Sequence, residues 1–101
     1  MESNSGTFKV VYLEPVRRFL KECVELAKLK NLGAEVLRAL LDLDQRLRKD
    51  PREFGDPWNR YGNLEIYHRT FVPFDVVYGV HAVSNLVFVR AMRTYPFDYF
   101  G

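Results

Sequence analysis

The stretch FDVVYGVHAVSNLVFVRAMR, residues Phe74–Arg93, decides the fold of this chain. Every second residue from Phe74 to Val80 is aromatic or branched aliphatic, and a second alternating run extends from Leu86 to Arg93. Alternation with a period of two is typical of half-buried strands. A short turn around Ser84 and Asn85 separates the two runs. The stretch therefore predicts a β-hairpin.

The segments before the hairpin predict one strand and two helices. Phe8–Leu13 alternates like a first strand. Apolar residues then recur at spacings of three and four from about Pro15 to Lys30, and again from Val36 to Leu47, which predicts two amphipathic helices. Asn31 and Gly33 lie between them and are suited to the left-handed conformation that ends a helix. We expect an antiparallel helical hairpin.

Asp50 and Pro51 end the second helix, because the residue before a proline is pushed out of the helical region. Arg52–Asn63 is rich in turn-forming residues and predicts a structured loop. Leu64–Thr70 predicts a third extended segment. The element order is then β-α-α-β-β-β. It predicts an α+β fold in which the helical hairpin packs on one face of a mainly antiparallel four-stranded sheet.

The 101 residues fit a single domain spanning 1–101, and 48% hydrophobic with 28% charged residues is typical of a globular protein. Residues 1–6 lack periodicity and are expected to be mobile. Residues 95–101 form an aromatic tail. This tail either folds back over the sheet or the helices, or supplies anchors for a partner or a second copy of the chain in a homodimer.

Charge and cysteine content exclude several classes of function. The formal net charge of +2 is too small to indicate a nucleic-acid partner. Cys23 is the sole cysteine, which is typical of a protein from a reducing cytosol. Because no apolar run approaches about 20 residues, we expect no membrane association and a cytoplasmic location. Two separated histidines and one cysteine do not make a ligand set, so we predict no cofactor and no metal site.

Three segments give the chain a resemblance to the RelE/ParE superfamily of bacterial toxins: Leu47–Pro51, Phe54–Pro57 and Val87–Arg93. The resemblance implies a small toxin of a type II toxin–antitoxin system, neutralised by an antitoxin protein whose tail wraps over its helices and sheet. It also implies one of two targets, since some members cut messenger RNA in the ribosome and others poison DNA gyrase.

Two residues depart from the pattern of the RNA-cleaving members. Asp75 stands where those members usually carry an arginine, and Arg93 replaces a histidine. A carboxylate in a partly dry site repels RNA phosphate. We therefore favour a toxin that binds a gyrase-type or unknown macromolecular target over one that cleaves messenger RNA. The alternatives are a diverged, non-enzymatic interaction module on the same scaffold and a ribosome-dependent messenger RNA endoribonuclease.

RNA cleavage would need cations that stabilise the phosphate and groups that move protons. Arg93 and Tyr95, near the end of the last strand, are the first candidates for catalytic residues, because function collects at sheet ends. His68 and Arg69 are the next candidates, although strand alternation places them on opposite faces.

Arg90 has a structural interpretation. It is expected to share a face with Phe88 and Met92 and to pair with an acid such as Asp75 or Glu65, because a charge among apolar neighbours needs a partner.

Overall fold

The computed structural model describes residues 7–101, so the predicted mobility of residues 1–6 lies outside the described residues. The elements in chain order are β1 (Lys9–Tyr12), α1 (Glu14–Leu29), α2 (Gly33–Lys49), α3 (Pro51–Phe54), β2 (Asp56–Tyr61), β3 (Leu64–Phe71), β4 (Phe74–His81) and β5 (Leu86–Thr94). The helices of residues 7–101 are too short or too polar to span a lipid bilayer.

The helical hairpin forms as the sequence predicts. Pro15 lies in the first turn of α1, where its missing N–H costs no hydrogen bond. Asn31 adopts a φ of 59°, the left-handed conformation that allows the chain to reverse between α1 and α2. Each helix buries one stripe of residues, which in α2 consists of Val36, Leu43 and Leu47. The fold is therefore α+β, with two long helices.

The sheet is mainly antiparallel, as predicted, but it has one strand more than predicted and one parallel pairing. It has five strands in the order β1-β5-β4-β3-β2. β1 pairs with β5 in parallel, whereas the other three pairings are antiparallel. The prediction of four strands was wrong because Asp56–Tyr61, assigned to a loop, forms the edge strand β2.

β2 escaped prediction because it has no buried face. All six of its residues are exposed, so no hydrophobic alternation marks it, and Pro57 and Asn59 are turn formers. The strand is held by backbone pairing with β3, and Trp58 forms a bulge between Pro57 and Asn59. Proline is tolerated here because β2 is an edge strand.

The helices cover one face of the sheet, which we call the covered face. Val76, Tyr78 and Val80 of β4 are fully buried there, in one cluster with Leu43 and Leu47 of α2. A second cluster joins the two helices around three fully or almost fully buried aliphatic and thiol side chains, Cys23, Ala27 and Val36. Burial raises the pKa of the Cys23 thiol, so this cysteine behaves as a small core residue.

Part of the aromatic tail folds back onto the protein, as one of the two alternatives predicts. Tyr99 and Phe100 pack against the second cluster, with their ring centroids 5.0 Å apart. Phe97, in contrast, is 93% exposed. The end of the chain therefore completes the core, while one aromatic residue of the tail stays in water.

Candidate functional site

The sheet face opposite the helices, which we call the open face, holds a cleft of about 580 Å³. Strand alternation directs Asp75 and Val77 of β4 to this face, because Val76 and Tyr78 point to the helices. The cleft lies across four strands, β2 to β5, and the six lining residues that matter below are Asp56, Trp58, His68, Asp75, Val77 and Arg93.

Asp75 is the centre of the cleft's polar network. Its side chain is only 8% exposed, yet both carboxylate oxygens have donors. Nε2 of His68 donates to Oδ1 at 2.6 Å, and the hydroxyl of Thr70 donates to the same oxygen at 2.9 Å. Nε and Nη2 of Arg93 both lie near Oδ2, at 3.1 and 3.0 Å. Three side chains from two neighbouring strands thus converge on one buried carboxylate.

The network holds Asp75 in its charged form. Burial alone would raise the pKa of Asp75, but the hydrogen bonds from Thr70, Arg93 and His68 outweigh it, and the pKa lies below the usual range of an aspartate. An ionised carboxylate only accepts hydrogen bonds, so Nε2 of His68 carries the proton in their contact.

A β-bulge in β5 explains why Arg93 reaches this site. Opposite Tyr78 lies Val89, but opposite Val77 lies Ala91, so Arg90 is the extra residue of the bulge. After the bulge the alternation is reversed: Met92 packs toward the helices, and Arg93 lies directly opposite Asp75.

The predictions about Arg90 were wrong for the same reason. Because Arg90 is the extra residue of the bulge, Phe88 and Met92 lie on opposite faces of the sheet, so Arg90 cannot share one face with both. The acids expected as its partners pair with other arginines. Asp75 pairs with Arg93, and Glu65 pairs with Arg52 at 2.8 Å. Arg90 itself is exposed.

With this geometry described, comparison with known proteins adds nothing further: no protein-family model, no curated protein and no solved structure matches the chain. The resemblance to RelE/ParE toxins therefore rests on the sequence segments quoted above.

The structure brings together two of the four candidate catalytic residues, His68 and Arg93. Arg69 lies on the covered face, where its Nη1 donates to the backbone carbonyl of Phe54 at 3.0 Å and its guanidinium lies 4.9 Å from the centroid of the Phe54 ring. The predicted divergence of His68 and Arg69 is thus confirmed, and Arg69 is no part of the cleft.

Tyr95 also lies outside the cleft lining. It follows the end of β5, where its backbone N–H donates to the carbonyl of Pro73 at 2.8 Å. Its side chain is about half exposed. Its selection as a candidate for proton transfer rested on its place at the strand end, and the geometry provides no contact between it and His68 or Asp75.

Three residues of the site were not predicted from the sequence: Asp56 and Trp58, which line the cleft, and Thr70, which donates to Asp75. Thr70 lies directly opposite Asp75 in the β3–β4 pairing, and Asp56 lies opposite His68 in the β2–β3 pairing. Thr70 could have been found by counting the register back from the turn between β3 and β4. Asp56 and Trp58 could not, because the strand that carries them has no hydrophobic pattern.

Trp58 forms a wall of the cleft beside His68. The two ring centroids are 6.3 Å apart and the ring planes are inclined by 65°. The indole is 66% exposed, which is unusual for the largest apolar side chain of a small domain. An exposed tryptophan beside a histidine that is held by a carboxylate is a surface suited to binding.

The charges that line the cleft sum to a negative value. Asp56 and Asp75 contribute two carboxylates against the single guanidinium of Arg93, with His68 counted as neutral. No group of three histidine, cysteine, aspartate or glutamate side chains within residues 7–101 is placed to hold a metal ion. The arrangement can orient a proton-transferring imidazole and bind a ligand, but it offers little positive potential for a phosphate.

Proposed function

We propose that the chain is a toxin-like member of the RelE/ParE superfamily that binds a macromolecular target through its open face and is held inactive by an antitoxin protein. Two observations support the proposal. The helical hairpin covers one face of the sheet only, as the resemblance implies, and the opposite face carries a cleft with an exposed tryptophan and a buried ion network. The cytoplasm of a bacterium is the proposed location.

One observation favours a protein target: Asp75 already neutralises Arg93 and accepts from His68. A phosphate in the cleft would have to compete with this buried carboxylate for the same donors, and it would also face Asp56. We therefore place a protein target, such as DNA gyrase or another protein, above messenger RNA.

Expression in bacterial cells tests the proposal. The chain alone should arrest growth, and co-expression of a small protein encoded beside it should relieve the arrest. Unchanged growth on expression of a folded, soluble chain would contradict toxicity. A gyrase-type target would further predict that supercoiling of plasmid DNA by gyrase slows in the presence of the purified chain.

A ribosome-dependent messenger RNA endoribonuclease is the second candidate function, and one contact favours it. The 2.6 Å hydrogen bond from His68 to Asp75 orients an imidazole for proton transfer, and Trp58 beside it offers a stacking surface for a base. Cleavage of messenger RNA in a translation reaction that disappears in His68→Ala, and in Arg93→Ala, would raise this candidate above the first.

A non-enzymatic interaction module is the remaining candidate, favoured by the exposure of Phe97. This side chain is 93% exposed beside the packed residues Tyr99 and Phe100, as expected for a contact with a second copy in a homodimer. Sedimentation of the chain against a Phe97→Ser variant tests it. Sedimentation of both samples as monomers would contradict the homodimer.

A further inference from the structure

We propose that the cleft beside Trp58 receives a basic side chain, arginine or lysine, presented by a protein partner. The inference rests on the proposed function, because it names the chemistry by which the open face would recognise its protein target. It is argued from the charges, the aromatic wall and the apolar floor of the cleft.

The positive charge that lines the cleft, that of Arg93, is already paired with the carboxylate of Asp75. Arg93 has two nitrogens within 3.1 Å of Oδ2 of Asp75, and His68 directs its N–H to Oδ1. Withdrawing these donors toward an incoming anion would leave a buried carboxylate short of partners, which is costly. A phosphate or a carboxylate ligand would therefore compete with Asp75 for the charge of Arg93.

The second argument is that one negative charge is available to a ligand. Asp56 lines the cleft and is exposed. Within residues 7–101 it is absent from the ion pairs, which engage other acids such as Glu14, Asp44, Asp50 and Glu65. A cation that enters the cleft would meet an acid that needs no rearrangement of the Asp75 network.

The third argument is the aromatic wall. Trp58 is 66% exposed and protrudes at the bulge of β2, next to Asp56 in the same strand. Indole is the best aromatic partner for a guanidinium or an ammonium group. A carboxylate and an indole on one edge of a cleft together complement a cation much better than they complement an anion.

The fourth argument is the apolar floor. Val77 and Ala91 lie opposite each other in the β4–β5 pairing, and both line the cleft. Arginine and lysine carry a hydrocarbon stem that packs on apolar surface while the charged head remains near polar groups. The volume of about 580 Å³ lies within the range of sites that enclose a small ligand, so one long side chain fits.

Trp58 also supplies the test, because it is the only tryptophan of the chain. Its fluorescence can be followed while the full chain is titrated with a short glycine–serine peptide that carries one central arginine. The matched probes are the same peptide with glutamate in place of arginine and a short single-stranded RNA, all at equal ionic strength. We expect a saturable fluorescence change with the arginine peptide and only a linear drift with the other two.

Two variants locate the binding. Asp56→Asn should weaken binding of the arginine peptide about fivefold, the size expected for loss of one partly exposed ion pair. Asp42→Asn, which removes an exposed acid of α2, should leave the affinity unchanged. Equal affinity in Asp56→Asn and the parent chain, saturable binding of the RNA or glutamate peptide alone, or no saturable binding of any probe would overturn the inference.

These outcomes are distinguishable from failure of the proposed function. A chain that arrests bacterial growth but binds only the RNA would contradict the inference that the cleft receives a basic side chain. It would not contradict the proposal that the chain is a toxin. A chain that binds the arginine peptide in the cleft but does not arrest growth would contradict the toxin proposal alone.

Discussion

The two faces of the sheet hold their charged side chains differently: Arg69 on the covered face is half-buried, and Asp75 on the open face is buried. On the covered face, the guanidinium of Arg69 lies against the ring of Phe54 and donates to one backbone carbonyl, while its Nε finds no hydrogen-bond partner within residues 7–101. On the open face, Asp75 accepts from three side chains, His68, Thr70 and Arg93.

The difference indicates that the charged side chains of the covered face stabilise the fold, whereas those of the open face are available for binding. Phe54 lies between two guanidiniums, with Arg46 at 4.7 Å and Arg69 at 4.9 Å from its ring centroid, so those charges serve the core. The donors on Asp75 instead belong to a half-exposed histidine and a mostly exposed arginine at the mouth of a cleft. Changes on the covered face should alter stability, and changes on the open face should alter binding.

The largest effect is expected from Phe54→Ala. The ring is 1% exposed and packs edge-to-face against Phe71 at 5.5 Å, so its removal leaves a cavity and two unsupported guanidiniums. The free energy of unfolding, measured with urea, should fall by about 3–5 kcal/mol. Phe88→Ala, a half-buried aromatic on the open face, is the matched control and should cost clearly less. Equal losses would remove the distinction between the faces.

The second largest loss of stability is expected from Gly55→Ala, because Gly55 joins α3 to β2 close to the buried side chain of Tyr78. A Cβ at this position would collide with the hydroxyl of Tyr78, a buried group that donates to the carbonyl of Pro51. Overpacking of this kind costs about 1–3 kcal/mol, which thermal unfolding would detect. Gly33→Ala is the control: its Cβ would make only ordinary contact with Lys28, so no loss is expected.

Asp75→Asn should cost about 2 kcal/mol at neutral pH, because a buried network loses its charged acceptor. The pKa of Asp75 is lowered in the folded chain, so the stabilisation is fully present above the unfolded pKa of about 3.9 and is lost as the pH falls through the folded pKa. Unfolding of both proteins across pH should therefore show a gap that narrows below about pH 4. A gap that widens in acid would contradict the sign of the shift.

Arg93→Gln should have the smallest effect on stability. The side chain of Arg93 is 78% exposed although its partner Asp75 is buried, and His68 and Thr70 still donate to Asp75 in the variant, so a loss of only about 1 kcal/mol is expected. Arg90→Gln, the neighbouring arginine at the bulge, should show no measurable loss. A fall of more than about 2 kcal/mol in the free energy of unfolding of Arg93→Gln would show that the network around Asp75 stabilises the fold as the core does, and would contradict the distinction between the faces.

Much of the fold can be predicted from local patterns, because the apolar residues of β4 and of the two long helices recur with the period of their element. β2 cannot, since all six of its residues are exposed and its pairing with β3 is made by the backbone. Pattern reasoning detects burial, and a strand without burial leaves no trace in the sequence.

The candidate site shows a second limit. The residue that disrupts the expected chemistry, Asp75, is evident in the sequence, but its partner is not. Continuing the register of Val80 with Val87 would place Asp75 opposite Met92, and only the extra residue Arg90 brings Arg93 there. A bulge is specified by packing on both sides of the strand, so counting along the sequence does not reveal it.

The central claim, that the open face carries the function and the covered face the fold, is tested most directly by measuring growth arrest with variants that keep their stability. Trp58→Ala changes an exposed group of the cleft, so its melting temperature should remain close to that of the parent chain. His68→Ala removes one donor from Asp75 but leaves those of Thr70 and Arg93, so its melting temperature should fall only slightly and the chain should stay folded. Leu41→Ala, an exposed residue of α2 on the helical side, is the control.

We predict that both cleft variants, at expression levels matched to the parent, lose the arrest of growth while Leu41→Ala retains it. Full arrest by folded Trp58→Ala and His68→Ala, or loss of arrest in Leu41→Ala alone, would place the function on the helices and contradict the account.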